Sequence, residues 1–385
     1  MSLGRNLCNA MKEGWEIKKL GEVCEIIMGQ SPVSDSYNMN KEGMPFFQGC
    51  SDFGEISPNI KKYCSLPNKI ALVNDILMSV RAPVGSTNIA NCTCCIGRGL
   101  AAIRSIPEFV CYKYVYYYLF QTRYILENLG TGAVFKAINK NVLNDHIIVV
   151  PPISEQKRIV EELDLLNGTL DKKRQQLKEL DALSQSVFYD MFGDPIENEK
   201  GWEIKAIGNI ADCASGGTPS RTNPHYFEGT INWYSAGELN SLYLIDSVEH
   251  ITETALKESN AKLFKANSLL VGMYDTAAFK LGILTKESSS NQACANIILH
   301  EDNVIWLYFT LSEMKDEALK HRKGARQKNL NLSFIRNFCI PVPPISLQNK
   351  FAEKIKSIEH QKELIKQSIA ETQTLLDSRM DYYFN

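Results

Sequence analysis

Two segments of this sequence occur twice, in the same order and at nearly the same separation, which limits the fold before any local reading begins. Gly14-Trp15-Glu16-Ile17-Lys18 returns 187 residues later as Gly201-Trp202-Glu203-Ile204-Lys205. Pro151-Pro152-Ile153-Ser154-Glu155-Gln156 returns 192 residues later as Pro343-Pro344-Ile345-Ser346-Leu347-Gln348. Between these anchors Leu20-Gly21 is answered by Ile207-Gly208, and Gly29-Gln30-Ser31-Pro32 by Gly216-Gly217-Thr218-Pro219. Ordered recurrence at a fixed offset is the signature of an internal repeat. The chain is therefore a tandem duplication.

Each half starts with a mixed, strand-rich region of about 140 residues, in which short β-branched runs are broken by Gly, Pro and Asn. Strands are expected near 69–73, 76–80, 269–273 and 297–300, and aromatic-rich helices over 110–121 and 304–315. After each Pro-Pro stop the period changes. Ile159, Leu163, Leu166, Leu170, Leu177 and Leu180 follow alternating steps of four and three, with Lys173 and Ser184 at skipped positions. Phe351, Ile355, Ile358, Ile365, Ile369 and Leu376 do the same around Lys362 and Thr372. A sustained apolar heptad is the seam of a coiled coil. Ser154 and Ser346 are expected to cap the two helices, and Gly193 followed by Pro195 to stop the first. Duplicated halves related by a pseudo-two-fold axis make the helices antiparallel. The expected class is α+β: two mixed α/β domains, 1–153 and 193–345, separated by a long antiparallel two-helix coiled coil formed by 154–192 and 346–385.

Composition narrows the class of protein. At 385 residues, with 44% hydrophobic and 22% charged residues, the chain is that of an ordinary globular protein with a sizeable core in each half. No apolar run is long enough to span a bilayer, so no membrane association is expected. No secretory leader pattern is visible, and eleven irregularly spaced cysteines suit reduced thiols in a cytoplasmic protein. The net charge of −2 means that any affinity for nucleic acid must be local. Residues 318–337 contain no Asp or Glu but carry Lys320, Arg322, Lys323, Arg326, Lys328 and Arg336. Residues 129–144 likewise lack acids and carry Lys136 and Lys140. Both stretches share a frame, Gly132-x-x-x-Lys136-x-Ile138-Asn139 and Gly324-x-x-x-Lys328-x-Leu330-Asn331. A basic loop with Asn and Gln can meet phosphates with its charge and base edges with its amides.

Motifs for chemistry are incomplete. Asn223-Pro224-His225-Tyr226 imitates the Asn-Pro-Pro-Tyr loop of amino-methyltransferases, but the second proline is a histidine and no methyl-donor element precedes it. Gly130-Thr131-Gly132 is a lone Gly-x-Gly, and no Walker loop exists. Cys92-Thr93-Cys94-Cys95 lacks the second ligand pair of a structural zinc site. Asp194, Glu197, Glu199 and Lys200 read as a polar linker. Tyr112, Tyr114, Tyr116, Tyr117, Tyr118, Phe120 and Tyr124 lie at helical spacing and are expected to form a core face.

Taken together, the doubled Pro-Pro-Ile-Ser segment, the exit Met191-Phe192-Gly193-Asp194-Pro195 into Lys200-Gly201-Trp202-Glu203, and the segments Ile96-Gly97-Arg98-Gly99-Leu100-Ala101-Ala102-Ile103 and Ser290-Asn291-Gln292-Ala293-Cys294-Ala295-Asn296-Ile297 resemble the specificity subunits of Type I restriction–modification systems. The resemblance covers essentially the whole chain. It implies two target-recognition domains reading a bipartite site on double-stranded DNA, with helices that set the spacer and dock two methyltransferase subunits. Restriction subunits join that assembly, and S-adenosylmethionine, ATP and magnesium belong to the partners, with no cofactor, metal or catalytic residue in this chain. Candidate DNA contacts are Gln30, Ser31, Arg81, Arg98, Lys136, Asn139 and Lys140 in the first domain, and Arg221, Tyr274, Arg322, Lys323, Arg326, Gln327, Lys328 and Asn331 in the second. The alternatives are a coiled-coil adaptor without DNA readout and a solitary DNA methyltransferase.

Overall fold

The computed structural model describes residues 13–130, 137–321 and 329–384. It divides into two compact units, 1–174 with 367–385, and 175–366, so that each boundary falls inside a long helix. In each unit the two repeated motifs meet. Strand Glu16–Lys19 pairs antiparallel with Ile147–Val150, Glu16 opposite Val150. Strand Glu203–Ala206 pairs in the same way with Cys339–Val342, Glu203 opposite Val342. The duplicated tryptophan segment and the duplicated Pro-Pro segment are thus the two ends of one domain, held together by a ladder.

Between them lies a central sheet. In the first unit its order is Cys24–Met28, Leu100–Ser105, Ile76–Ser79, Thr87–Ile89, all antiparallel. In the second it is Ala211–Ser215, Cys294–Leu299, Leu269–Gly272, Leu281–Leu284, Tyr243–Leu244, the last pair parallel. The middle strands are apolar without alternation because both faces are covered. Ile76 and Met78 pack with the aromatic helix while Leu77 joins Phe47, Ile96 and Leu100 on the other face. Leu269 and Val271 pack towards Trp306, and Leu270 towards Tyr234. A second sheet of short strands covers the other face, five-stranded in the first unit and three-stranded in the second.

The aromatic helices span Tyr112–Gln121 and Val304–Glu313. Tyr114, Tyr116, Tyr117 and Tyr118 are buried, whereas Tyr112 is half-buried and Phe120 and Tyr124 are exposed, so the expected core face takes only the middle of the aromatic run. Among the buried phenols, Tyr114 Oη donates to the Val149 carbonyl at 2.8 Å and Tyr118 Oη to that of Ile147 at 3.0 Å. Cys94 and Cys95 are buried in a strand, and burial pushes both thiols up.

The long helices run Ile153–Phe192 and Ile345–Phe384. In the first unit Glu162 meets Arg379 and Tyr383, while Lys173 meets Ser368 and Thr372. In the second, Asp181 meets Lys362 and Phe192 meets Phe351. Rising numbers on one helix face falling numbers on the other, so the pairing is antiparallel within each unit. Ile159, Leu163, Leu170, Phe351, Ile355, Ile358 and Leu376 are buried, whereas Leu166, Leu177, Leu180, Ile365 and Ile369 are half-buried.

The serine caps expected of Ser154 and Ser346 do not form. Both helices start one residue earlier, and the Pro152 and Pro344 carbonyls take the first amides, from Glu155 and Gln156 at 2.9 and 3.0 Å and from Leu347 and Gln348 at 2.9 and 3.2 Å. The fixing side chain is the glutamine four residues past the second proline. Gln156 is fully buried; its Oε1 accepts from the Cys111 amide at 2.9 Å and its Nε2 donates to the Phe109 and Pro151 carbonyls at 2.9 and 2.8 Å. Gln348, also fully buried, accepts from the Asn303 amide at 2.8 Å and donates to Asp302 and to the Pro343 carbonyl at 2.7 and 2.9 Å. Cys111 and Asn303 are the N-cap residues of the aromatic helices, so each glutamine holds the residue just before the first turn, and the first helix begins at Tyr112 instead of the expected 110.

Replacing Gln156 or Gln348 by Leu should lower stability by about 3 kcal/mol in urea unfolding, since it strands a backbone amide together with two carbonyls at Gln156, or one carbonyl and the Asp302 carboxylate at Gln348. Gln to Asn, which keeps the chemistry but not the reach, should lose most of the same amount. Burial also pushes the His146 imidazole down from 6.5 to about 4. The unfolded chain then binds the extra proton first, so stability is present above pH 6.5 and falls as pH drops towards 4, by about 3 kcal/mol in full. His146→Phe should flatten the dependence of the urea midpoint on pH across that window.

Candidate nucleic-acid interface

Antiparallel register brings three chain segments to one edge of each central sheet. In the first unit Met28 lies opposite Ala101, and Ser79 opposite Leu100, so the residues that leave or enter those strands converge. They are Gly29-Gln30-Ser31, Gly97-Arg98-Gly99 and Val80-Arg81. The Gly29 amide donates to the Leu100 carbonyl at 2.9 Å, that of Gln30 to Ile96 at 3.1 Å, and that of Val80 to Gly99 at 2.9 Å. Ser31 Oγ accepts from Gln48 Nε2 at 3.1 Å and from the Arg98 amide at 3.4 Å. Arg81 bridges Ala137, and the Ile138 amide donates to the Val80 carbonyl at 3.1 Å, which brings the chain just after 131–136 to the same edge.

The second unit repeats the arrangement. Ser215 lies opposite Ala295 and Gly272 opposite Cys294. Gly216 donates to the Cys294 carbonyl at 3.0 Å, Gly217 to Ser290 at 2.9 Å, and Met273 to Ala293 at 2.8 Å. Thr218 donates to Gln292 Oε1. The Leu330 amide donates to the Met273 carbonyl at 2.7 Å, and Asn329 Oδ1 accepts from the Asp275 amide at 3.1 Å, beside Tyr274. Arg81 and Tyr274 are thus equivalent, as are Arg98 and Gln292, and Ser31 and Thr218.

The doubled glycine is required by this convergence. A Cβ on Gly29 would lie 2.2 Å from the Gly97 carbonyl oxygen, and one on Gly216 2.3 Å from that of Ser290. Neither backbone can yield without breaking the sheet edge.

The described arginines differ in how far protein groups engage them. Arg104, Arg158, Arg174, Arg221 and Arg379 are bound to carboxylates, Arg336 to the Cys213 carbonyl, and Arg123 lies over the Phe120 ring. Arg81 and Arg98 are exposed and, among the described residues, have no ion-pair partner. Lys140 and Lys69 line a cleft with Gln30, and Lys262 lines one with Thr218, Asn260 and Gln292.

The sequence candidates divide accordingly. Gln30, Ser31, Arg81 and Arg98 come together in the first unit, with Lys140 sharing the Gln30 cleft, and Tyr274 takes the place of Arg81 in the second. Arg221 is engaged elsewhere: it forms a two-pronged pair with Glu249, holding that carboxyl below its usual range, and stacks on Phe227 at 4.2 Å. Asn139 and Asn331 have structural work as helix N-caps, accepting from Val142 at 3.1 Å and Phe334 at 2.8 Å, which accounts for the doubled Asn of the basic frame. Lys136, Arg322, Lys323, Arg326, Gln327 and Lys328 lie outside the described residues. Gln48, Lys69, Lys262 and Gln292 were not expected. Gln292 sits inside a segment already marked by its resemblance, whereas Lys69 and Lys262 reach the edge only through tertiary packing. In the Asn223–Tyr226 segment, His225 pairs with Glu228 and Tyr226 donates to Glu258, both at 2.9 Å.

Two copies of one sheet edge each present polar side chains from three converging segments, to which Arg81 and Arg98 add charge in the first unit. The chain belongs to the family of the type I restriction modification DNA specificity domain, whose model matches residues 12–182 and again 199–373. Among its relatives, a chain named as the MjaX type I restriction enzyme specificity subunit of Methanocaldococcus jannaschii is 45% identical over 177 residues, 46% of this chain and 42% of that protein. The MjaIX specificity subunit of the same organism is 24% identical over 396 residues, 91% of this chain and 89% of that one. The crystal structure of a Type-I restriction-modification system S subunit from M. genitalium shares the fold, with a TM-score of 0.61 over 97% of this chain and 96% of that one at 15% identity.

Gly29→Ala and Gly216→Ala should each cost about 2 kcal/mol through overpacking and lower the melting temperature. Gly49→Ala, where a Cβ meets nothing within 4 Å, should leave it unchanged in the same thermal scan.

Proposed function

We propose that this chain is the DNA-reading subunit of a Type I restriction–modification assembly, each domain taking one half of a bipartite site on double-stranded DNA. The observation that carries this reading is the repeated sheet edge, with Arg81 and Arg98 uncommitted while the other described arginines are held by protein groups. Phosphate contact needs free cations, and base readout needs side chains that project from a rigid frame. Two rigid copies suit two half-sites at a fixed gap. Gln30, Ser31, Arg81, Arg98 and Lys140 act in the first domain and Tyr274 in the second, joined by Lys69, Lys262 and Gln292. The basic residues Lys136, Arg322, Lys323, Arg326 and Lys328 add phosphate contacts together with the neutral amide of Gln327, and Asn139, Asn331 and Arg221 support the loops that carry them.

On this reading the domains are 1–153 and 193–345, and the long helices set the spacer and receive two methyltransferase subunits. Restriction subunits complete the assembly in the cytoplasm. The chain is not itself catalytic; S-adenosylmethionine, ATP and magnesium are used by the partners. The rival adaptor reading leaves the uncommitted arginines without a purpose.

Methylome sequencing separates the two. A host expressing this chain with the methyltransferase subunit of its system should carry a bipartite methylated motif that a host lacking only this chain does not. Identical methylation in both hosts would favour the adaptor.

A further inference from the structure

Arg98 and Gln292 stand on the same backbone frame in the two domains. The residue before each donates its amide to the second sheet, Gly97 to the Phe47 carbonyl at 2.8 Å and Asn291 to that of Tyr234 at 2.9 Å. The residue after each accepts from the end of the central strand, Gly99 from Val80 at 2.9 Å and Ala293 from Met273 at 2.8 Å. With the main chain fixed on both sides, the two positions differ in side chain alone. Both side chains are exposed.

Arg98 is the single side chain on its turn, because Gly97 and Gly99 press against Gln48, where an added Cβ would lie 3.0 and 2.5 Å from the nearest atom. Its guanidinium donates and never accepts. In the major groove the edge that offers two adjacent acceptors is that of guanine, through N7 and O6. Gln292 has one donor and one acceptor. The Thr218 hydroxyl donates to its Oε1, which orients the amide and leaves Nε2 free, while Oε1 retains a second lone pair. That pattern matches adenine, which offers N7 as acceptor and the N6 amine as donor.

We propose that Arg98 and Gln292 are specificity-determining residues of the two domains, Arg98 selecting a guanine in one half-site and Gln292 an adenine in the other. The inference rests on the DNA-reading function proposed above and adds which residues read and which bases they prefer.

Selection from randomised duplexes tests it, using the full-length chain with the methyltransferase subunit of its system. The wild type should enrich a bipartite site with a guanine in one half and an adenine in the other. Arg98→Gln should cut the preference for that guanine roughly 5- to 100-fold and leave the second half unchanged. Gln292→Arg should erase the adenine preference in favour of guanine and leave the first half unchanged. The untouched half is the folding control within each variant. An unchanged motif, a change spread over both halves, or a wild-type half-site without the expected base overturns the assignment. Failure of the wild type to enrich any bipartite site overturns the DNA-reading function itself.

Discussion

The buried glutamine at the start of each long helix is the contact on which the rest of the domain depends. Gln156 joins three elements with one side chain: the chain leaving the closing strand, the turn before the aromatic helix, and the long helix itself. A buried primary amide is costly unless satisfied, and here the surrounding groups satisfy it. Because the aromatic helix covers one face of the central sheet, its start fixes where that sheet sits against the long helix. Gln348 repeats the arrangement with Asp302 in place of one carbonyl. The geometry of each sheet edge is thereby tied to the direction in which its helix departs.

Much of this was legible because the sequence states it twice. The duplication, the heptad seam, the aromatic core face and the glycine-led edge segments all follow from recurrence or period. The helix starts did not, since Ser154 is the residue type that caps, whereas the glutamine two positions later acts through a contact 45 residues away in sequence. For the same reason Lys69 escaped notice. Local patterns report local bonds, and a side chain that reaches its site across a sheet leaves no periodic trace. The doubled Asn was visible, but its meaning was not: a residue that caps a helix and one that touches a base have the same composition.

The arginines illustrate how a chain of net charge −2 can still hold a polyanion. Exposed ion pairs contribute little to stability, yet each removes a cation from the surface field. Arg104 is held by buried Asp75 and by Glu25, and Arg221 by Glu249. Arg81 and Arg98, without an ion-pair partner among the described residues, leave the sheet edge where its backbone is held by the converging segments. Local charge on a rigid backbone can therefore serve where net charge does not.

The polar positions of the helix seam are where the two repeats differ most usefully. At the repeat offset Lys173 answers Ile365, and Lys362 answers Leu170, so the lysines are not copies of each other. In the first unit Lys173 donates to Ser368 and Thr372 on the opposite helix, each at 2.7 Å. In the second, burial alone would lower the Lys362 ammonium, but Asp181 and Glu359 outweigh it and hold it above its ordinary value. Each lysine finds an acceptor on the helix from the other repeat, Lys173 in Ser368 and Thr372 and Lys362 in Asp181, and Lys362 is also held by Glu359 on its own helix. Shifting the register by one heptad would set an ammonium against Leu or Ile. A polar seam residue of this kind lowers stability compared with an apolar one but fixes alignment. For helices that carry reading edges, alignment is the property that matters, because a slip of one heptad moves a contact by about 10 Å along the axis.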